Sequence, residues 1–194
     1  MKILFVSTND WVPWGGSEVL WSQCALRTVR KGHRVTAAAA RHSPTGPHLT
    51  ELEAAGVEVV LMDRSPQRKW FPGRVMRRLR KSFIARLLQR LEPDLVVISQ
   101  GSASQGLEWS DACIAAGTPY VPIVQLVNEY ALYRDELIDS LVRHYQSARL
   151  VCFVSERNRQ ILERQLGCAI AGRLVRNPCR INPPEQLAYP DNQT

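Results

Sequence analysis

Residues 2–7 read KILFVS and residues 17–31 read SEVLWSQCALRTVRK, with TNDWVPWGG (residues 8–16) between them. The first is a short apolar, β-branched run ending in a polar residue, the pattern of a strand buried in a parallel sheet. The second carries Val19, Leu20, Cys24 and Thr28 at helical spacing, with Ser17 placed as an N-cap and Gly32 as the stop. A buried strand, a glycine turn and an amphipathic helix make one βα unit, and the pattern recurs along the chain.

Further strands are expected at His33–Ala39, Val57–Met62, Asp94–Ser99, Tyr120–Val124, Leu150–Val154 and Arg173–Val175. Helices are expected at Leu49–Ala55, Pro72–Leu91, Gln105–Ala115, Leu132–Ser147 and Ser155–Leu166. Strands alternating with helices predict an α/β fold, a doubly wound parallel sheet of about seven strands. Residues 1–176 form the domain; residues 177–194, with Pro178, Pro183, Pro184 and Pro190 and little apolar periodicity, read as a linker or tail. Ligands of such sheets gather outside the carboxyl ends of the strands, which directs attention to the loops after Ser7, Ser99, Val124 and Val154.

Hydrophobic residues at 45% and charged residues at 22% of 194 are those of an ordinary folded globular chain. A net charge of +7 favours anionic partners, but no helix-turn-helix, RNP aromatic pair or KH loop accompanies it, and nucleic acid is not expected. Cys24, Cys113, Cys152, Cys168 and Cys179 are odd in number, widely spaced and without a CxxC pair, so they suggest neither a disulfide framework nor zinc, and a reducing cytoplasm fits best. The N-terminal apolar run is too short for a signal peptide and no stretch has the length of a membrane span.

Gly15 and Gly16 precede a helix N-terminus, where backbone amides and the helix dipole favour an anion. The pair reads equally as a tight strand-to-helix turn. Neither GxGxxG nor GxxxxGK[ST] occurs, which removes the stand-alone dinucleotide-binding enzyme and the P-loop NTPase. The loop from Gln100 to Gly106 (QGSASQG) offers hydroxyl and amide groups, Gln100 and Ser102 among them, suited to a sugar; its plain reading is a turn with Ser104 as N-cap. Trp11 and Trp14 suit either stacking on a ligand ring or a lipid, or packing against neighbouring loops.

The first strand, Gly15-Gly16-Ser17-Glu18, the helix after it and Arg30-Lys31-Gly32-His33-Arg34-Val35-Thr36 resemble the opening of family 4 glycosyltransferases. Phe153-Val154-Ser155-Glu156 with Arg159 and Leu162, and Val175-Arg176-Asn177-Pro178, are similar to later segments of that family in the same order. The resemblance implies a Rossmann-like N-terminal half of a GT-B enzyme, which binds a hydroxyl acceptor while an absent C-terminal half, in cis, holds a nucleotide-sugar co-substrate. It implies retaining transfer without a metal or cofactor, and a chain inactive as an isolated half. Gly15 and Gly16 match glycines that approach the donor phosphates, and Trp11, Trp14, Ser17, Gln100 and Ser102 would face the acceptor. Asn128 stands where the family often has a histidine; asparagine can orient a hydroxyl but cannot exchange a proton near neutral pH. Glu129 is then the nearest titratable candidate, or a solvated loop carboxylate. A reading from another class keeps the same fold as a non-catalytic module that binds a glycan, a lipid or a protein.

The helix over residues 72–91 joins Arg74, Arg77, Arg78 and Lys81 to an apolar set, including Leu79 and Phe83, expected to face the sheet. Its cations read either as a solvated face or as a site for anionic lipid headgroups, which would place the protein on the inner face of the cytoplasmic membrane.

Overall fold

The computed structural model describes residues 1–10, 14–42, 47–63 and 73–178, the side chains of 73–77 excepted. Trp11, the tail from residue 179, the helix start at Pro72 and the side chains of Arg74 and Arg77 therefore lie outside the described residues. Within them strands and helices alternate as β1 (Lys2–Ser7), α1 (Gly16–Arg30), β2 (Arg34–Ala40), α2 (Pro47–Ala54), β3 (Glu58–Met62), α3 (Gly73–Leu91), β4 (Leu95–Gln100), α4 (Leu107–Ala116), β5 (Tyr120–Val124), α5 (Asp135–Gln146), β6 (Val151–Phe153), α6 (Glu156–Leu166) and β7 (Gly172–Leu174). The sheet is parallel throughout, in the order β3-β2-β1-β4-β5-β6-β7. The doubly wound, Rossmann-like expectation holds.

Both faces of the sheet are covered. On one, Trp21 and Ala25 of α1 and Leu49 and Leu52 of α2 pack with Phe5, Val35, Ala37 and Ala39. On the other, Ile84, Leu87 and Leu88 of α3 and Trp109 and Cys113 of α4 meet Leu4, Val6, Val96 and Ile98. Beside them Leu141 and Tyr145 of α5 and Ile161 and Leu162 of α6 close over Val124, Val151 and Phe153. A fully buried side chain of this size contributes about 1.5–3 kcal/mol of transfer free energy, so these faces fix the strand register. Glycine is required at Gly172, where a Cβ would stand 2.8 Å from the Val151 carbonyl oxygen.

Several local expectations are corrected. Gly15, not Ser17, is the N-cap of α1, because Glu18 rather than a hydroxyl supplies the capping carboxylate. The buried side of α1 is Glu18, Trp21, Ser22 and Ala25, leaving Cys24 exposed, because bulky Trp21 sets the inward direction. Helix α4 starts after Gly106, whose φ of +84° no Ser104 cap could replace. Helix α5 begins at Asp135, so Leu132 belongs to the loop. On α3, Leu79 and Phe83 are 58% and 41% exposed. With the inward arc set by Ile84, Leu87 and Leu88, Leu79 falls roughly 180° from Leu88 at 3.6 residues per turn.

Candidate functional site

The strand order reverses between β1 and β4, so their following loops diverge to opposite faces and leave a crevice at the carboxyl ends. Across it the Thr8 amide donates to the Ser99 carbonyl at 3.0 Å. The Thr8 hydroxyl lies 3.1 Å from the same oxygen and accepts from the Gly101 amide at 3.4 Å. The two loops are thus joined at their bases.

The β1–α1 wall is organised by Glu18, which is only 4% exposed. Its carboxylate accepts from the hydroxyl of Ser7 at 2.7 Å, the amide of Asn9 at 3.0 Å, the backbone N–H of Gly15 at 3.2 Å and the hydroxyl of Ser17 at 2.5 Å. A buried carboxylate costs several kcal/mol unless donors surround it, and here four converge. Room for at most one water, about 10 Å³, remains between Ser7, Asn9, Trp14 and Glu18. Gly16 is exposed, and nothing among the described residues stands within 4 Å of the place a Cβ would take.

The β4–α4 wall is organised by Gln100 and α5. Gln100 is the last residue of β4 and is fully buried. Its amide nitrogen donates to the Gln105 carbonyl at 2.6 Å and lies 3.2 Å from His144 Nε2, while its oxygen accepts from the Tyr145 hydroxyl at 3.1 Å. That hydroxyl also lies 2.7 Å from the Ala103 carbonyl oxygen. Because the Gln100 amide can only donate to Nε2, the proton of the neutral His144 ring sits on Nδ1, which has no partner. Burial pushes this imidazole down to about 4, with Asp111 opposing, and burial raises the Tyr145 phenol. Gly106 closes the loop where a Cβ would come within 2.8 Å of Ile98.

The β5–α5 loop forms a third, open wall. Asn128 is exposed; its side-chain oxygen accepts from the Tyr130 amide at 3.0 Å, and its carbonyl accepts from Gln165 at 2.7 Å. Glu129 pairs with Arg157. Gln125 reaches the Ser17 carbonyl at 3.4 Å and its own carbonyl accepts from Asn158 at 3.0 Å, tying this wall to α1 and α6.

The residues read from sequence therefore divide. Gly15, Gly16, Ser102, Asn128 and Glu129 stand at the carboxyl-end loops. Gln100 does not reach the crevice: as a buried strand residue it holds the loop from behind. Ser17 is engaged by Glu18, and the Trp14 ring stacks on His48 at 4.4 Å and leans on Trp21 at 6.0 Å, so both serve the α1 wall. Glu18, Gln105, His144 and Tyr145 were missed. Only Glu18 had a signal, its capping-box spacing from Gly15. A larger cavity of about 320 Å³, lined by Lys2, Arg34, Glu58 and Arg90 among others, opens at the amino ends of the strands, away from the crevice. No cluster of three or more metal-ligating side chains occurs among the described residues.

This arrangement is one Rossmann-like half of the GT-B architecture. Among solved structures, HepE of Anabaena, determined with UDP, is similar at 19% identity with a TM-score of 0.58 over 91% of this chain and 44% of its own. The lipopolysaccharide outer core galactosyltransferase WaaB is similar at 16% identity and 0.60 over 96% and 50%, and the UDP-GlcNAc 2-epimerase of Neisseria meningitidis at 15% and 0.55 over 88% and 45%. The chain thus spans half or less of the length of these proteins. No curated protein matches the sequence. The profile of Glycosyltransferase Family 4 matches residues 14–181, and the chain belongs to that family.

Proposed function

We propose that this domain is the acceptor-side half of a glycosyltransferase that moves a sugar from a nucleotide-sugar to a hydroxyl acceptor. The observation that carries the reading is the family match from residue 14 onward, which takes in the turn where Glu18 fixes Gly15 and where nothing among the described residues stands within 4 Å of a Cβ at Gly16. The donor diphosphate approaches the N-terminus of α1 at Gly16, where amide dipoles stabilise charge developing on the leaving group. The Gly15 N–H already meets the Glu18 carboxylate, so its part is to shape the turn.

The acceptor lies against Ser102 and the β5–α5 loop, with Asn128 orienting it and Glu129 the nearest carboxylate. Family membership supports transfer with retention and without a metal, the remaining diphosphate charge being met by cations of a second, donor-binding half. Structures similar to this chain were determined with UDP and with UDP-glucose, which supports a uridine-type donor.

A non-catalytic binding module is the second reading. It is favoured by Asn128, whose carboxamide oxygen is engaged by the Tyr130 amide, in a family position often held by histidine. Transfer and hydrolysis assays with a panel of nucleotide-sugars, on this chain alone and on the longest product of its gene, separate the two. Turnover by the longer protein and none by this chain supports the half-enzyme; no turnover by either, with both folded, supports the module.

A further inference from the structure

The sheet face beneath α3 changes character along its strands. Toward the carboxyl ends it is apolar, with Leu4 and Val6 of β1, Ala38 of β2 and Val60 of β3 in the core under α3 and α4. Lys2 lies in register with Arg34, and Leu4 with Thr36 and Glu58. Side chains two residues apart on a strand point to the same face, so Lys2, Arg34, Thr36 and Glu58 share the face of Leu4. Inward positions of a parallel sheet covered on both sides are ordinarily apolar. Here the polar ones, with Arg90 from the last turn of α3, line the cavity of about 320 Å³ at the amino ends of the strands. Its size is that of a small-molecule site.

One sign of charge prevails in it: three cations and a single carboxylate line the cavity. Glu58 accepts from the hydroxyl of Thr36, itself only 5% exposed, at 3.3 Å and pairs with Arg90 at 3.6 Å. Lys2 pairs with Glu92, outside the cavity lining, at 3.3 Å. Both ion pairs are solvent-accessible, and such pairs contribute little and can open toward a stronger anion. Arg34 is exposed, and its side chain has no ion-pair or hydrogen-bond partner among the described residues. A free guanidinium fork, a second guanidinium and an ammonium around one cavity match the oxygens of a phosphate, which takes several charge-assisted hydrogen bonds.

We propose that this amino-end cavity binds the phosphate group of a small metabolite, held by Lys2, Arg34 and Arg90. Glu58 stands beside these cations as an acceptor for a hydroxyl of the same ligand. The site is separate from the crevice, since Lys2 and Ser7 are the two ends of β1, roughly 17 Å apart at about 3.3 Å per residue. A ligand here is therefore neither donor nor acceptor of the reaction proposed above, and its binding does not depend on that reaction.

The test is titration of the isotope-labelled chain with inorganic phosphate, glycerol phosphate and glycerol, each to about 20 mM in about 0.15 M chloride, followed by amide chemical shifts. Saturable shifts are expected with both phosphates and not with glycerol, at residues 2–4, 34–36, 58 and 90–91. Tighter binding of glycerol phosphate assigns the site to a polyol ester, and equal binding to the phosphate group alone. Arg34→Gln, at a side chain without partners, should keep the fold and raise both dissociation constants about tenfold or more. Glu58→Gln removes the competing carboxylate and should lower the constant for inorganic phosphate about threefold. Arg164→Gln on α6 should change neither. The spectra themselves report that each variant is folded. The proposal is overturned if no shift saturates, if the shifts are confined to residues 15–18 at the crevice, or if Arg34→Gln binds no more weakly than Arg164→Gln. Weaker binding of inorganic phosphate after Glu58→Gln also overturns it.

Discussion

The three walls of the crevice are built in two opposite ways. The β1–α1 and β4–α4 walls are held from behind by side chains with almost no exposure, Glu18 and the Gln100, His144 and Tyr145 cluster. The β5–α5 loop instead presents Leu126, Tyr130 and Leu132 at 56%, 84% and 97% exposure. It is held at its base by Gln165, which reaches the carbonyls of Asn128 and Ala131 at 2.7 and 3.3 Å. The contrast teaches a division of labour: the turn before α1 is preorganised by buried side chains, and the β5–α5 wall is held only at its base.

The sharpest way to break this contrast is Glu18→Ala. It strips the acceptor from Ser7, Asn9, Gly15 and Ser17 together and should cost about 4 kcal/mol in urea denaturation. Glu18→Gln, which keeps one carbonyl, should cost roughly half as much. A loss under about 1 kcal/mol would mean that the turn does not depend on the carboxylate.

His144 supplies the next effect. Its folded value near 4 lies below an unfolded value of about 6.5, so the unfolded chain binds the extra proton first. The neutral ring's stability contribution is complete above pH 6.5 and falls away as the pH drops from about 6.5 to 4, by up to roughly 3 kcal/mol. Urea midpoints across that window should show the slope in the native chain and lose it in His144→Gln.

How far the sequence foretold these walls differs in the same way. The alternation of strands and helices was legible because burial writes period and length directly into residue type, and all seven strands appear within a residue or so of their expected places. The glycine turn was legible for the same local reason. The helix faces were not: Cys24 and Leu79 fit an apolar period, but which arc turns inward depends on where Trp21 and Leu88 dock. Nor was the Gln100 cluster, since Gln100 and His144 are 44 positions apart and meet only because α5 returns across the end of β4.

Smaller effects sharpen the comparison. Tyr145→Phe removes a donor from Gln100 and from the Ala103 carbonyl, and should cost about 1–2 kcal/mol while raising amide exchange over residues 101–106. Leu132→Ser, on the open wall, should change stability by less than about 0.5 kcal/mol. Equal costs at the two positions would erase the distinction between the walls.

The central claim is that Gly16 faces the donor phosphates, and Gly16→Val tests it most directly, since nothing among the described residues stands within 4 Å of the new Cβ. The measurement is transfer from a nucleotide-sugar by the longest product of the gene, native and Gly16→Val, beside their melting temperatures. The account predicts an unchanged melting temperature and transfer slowed by about a hundredfold or more. Equal transfer rates from two equally folded proteins would contradict it.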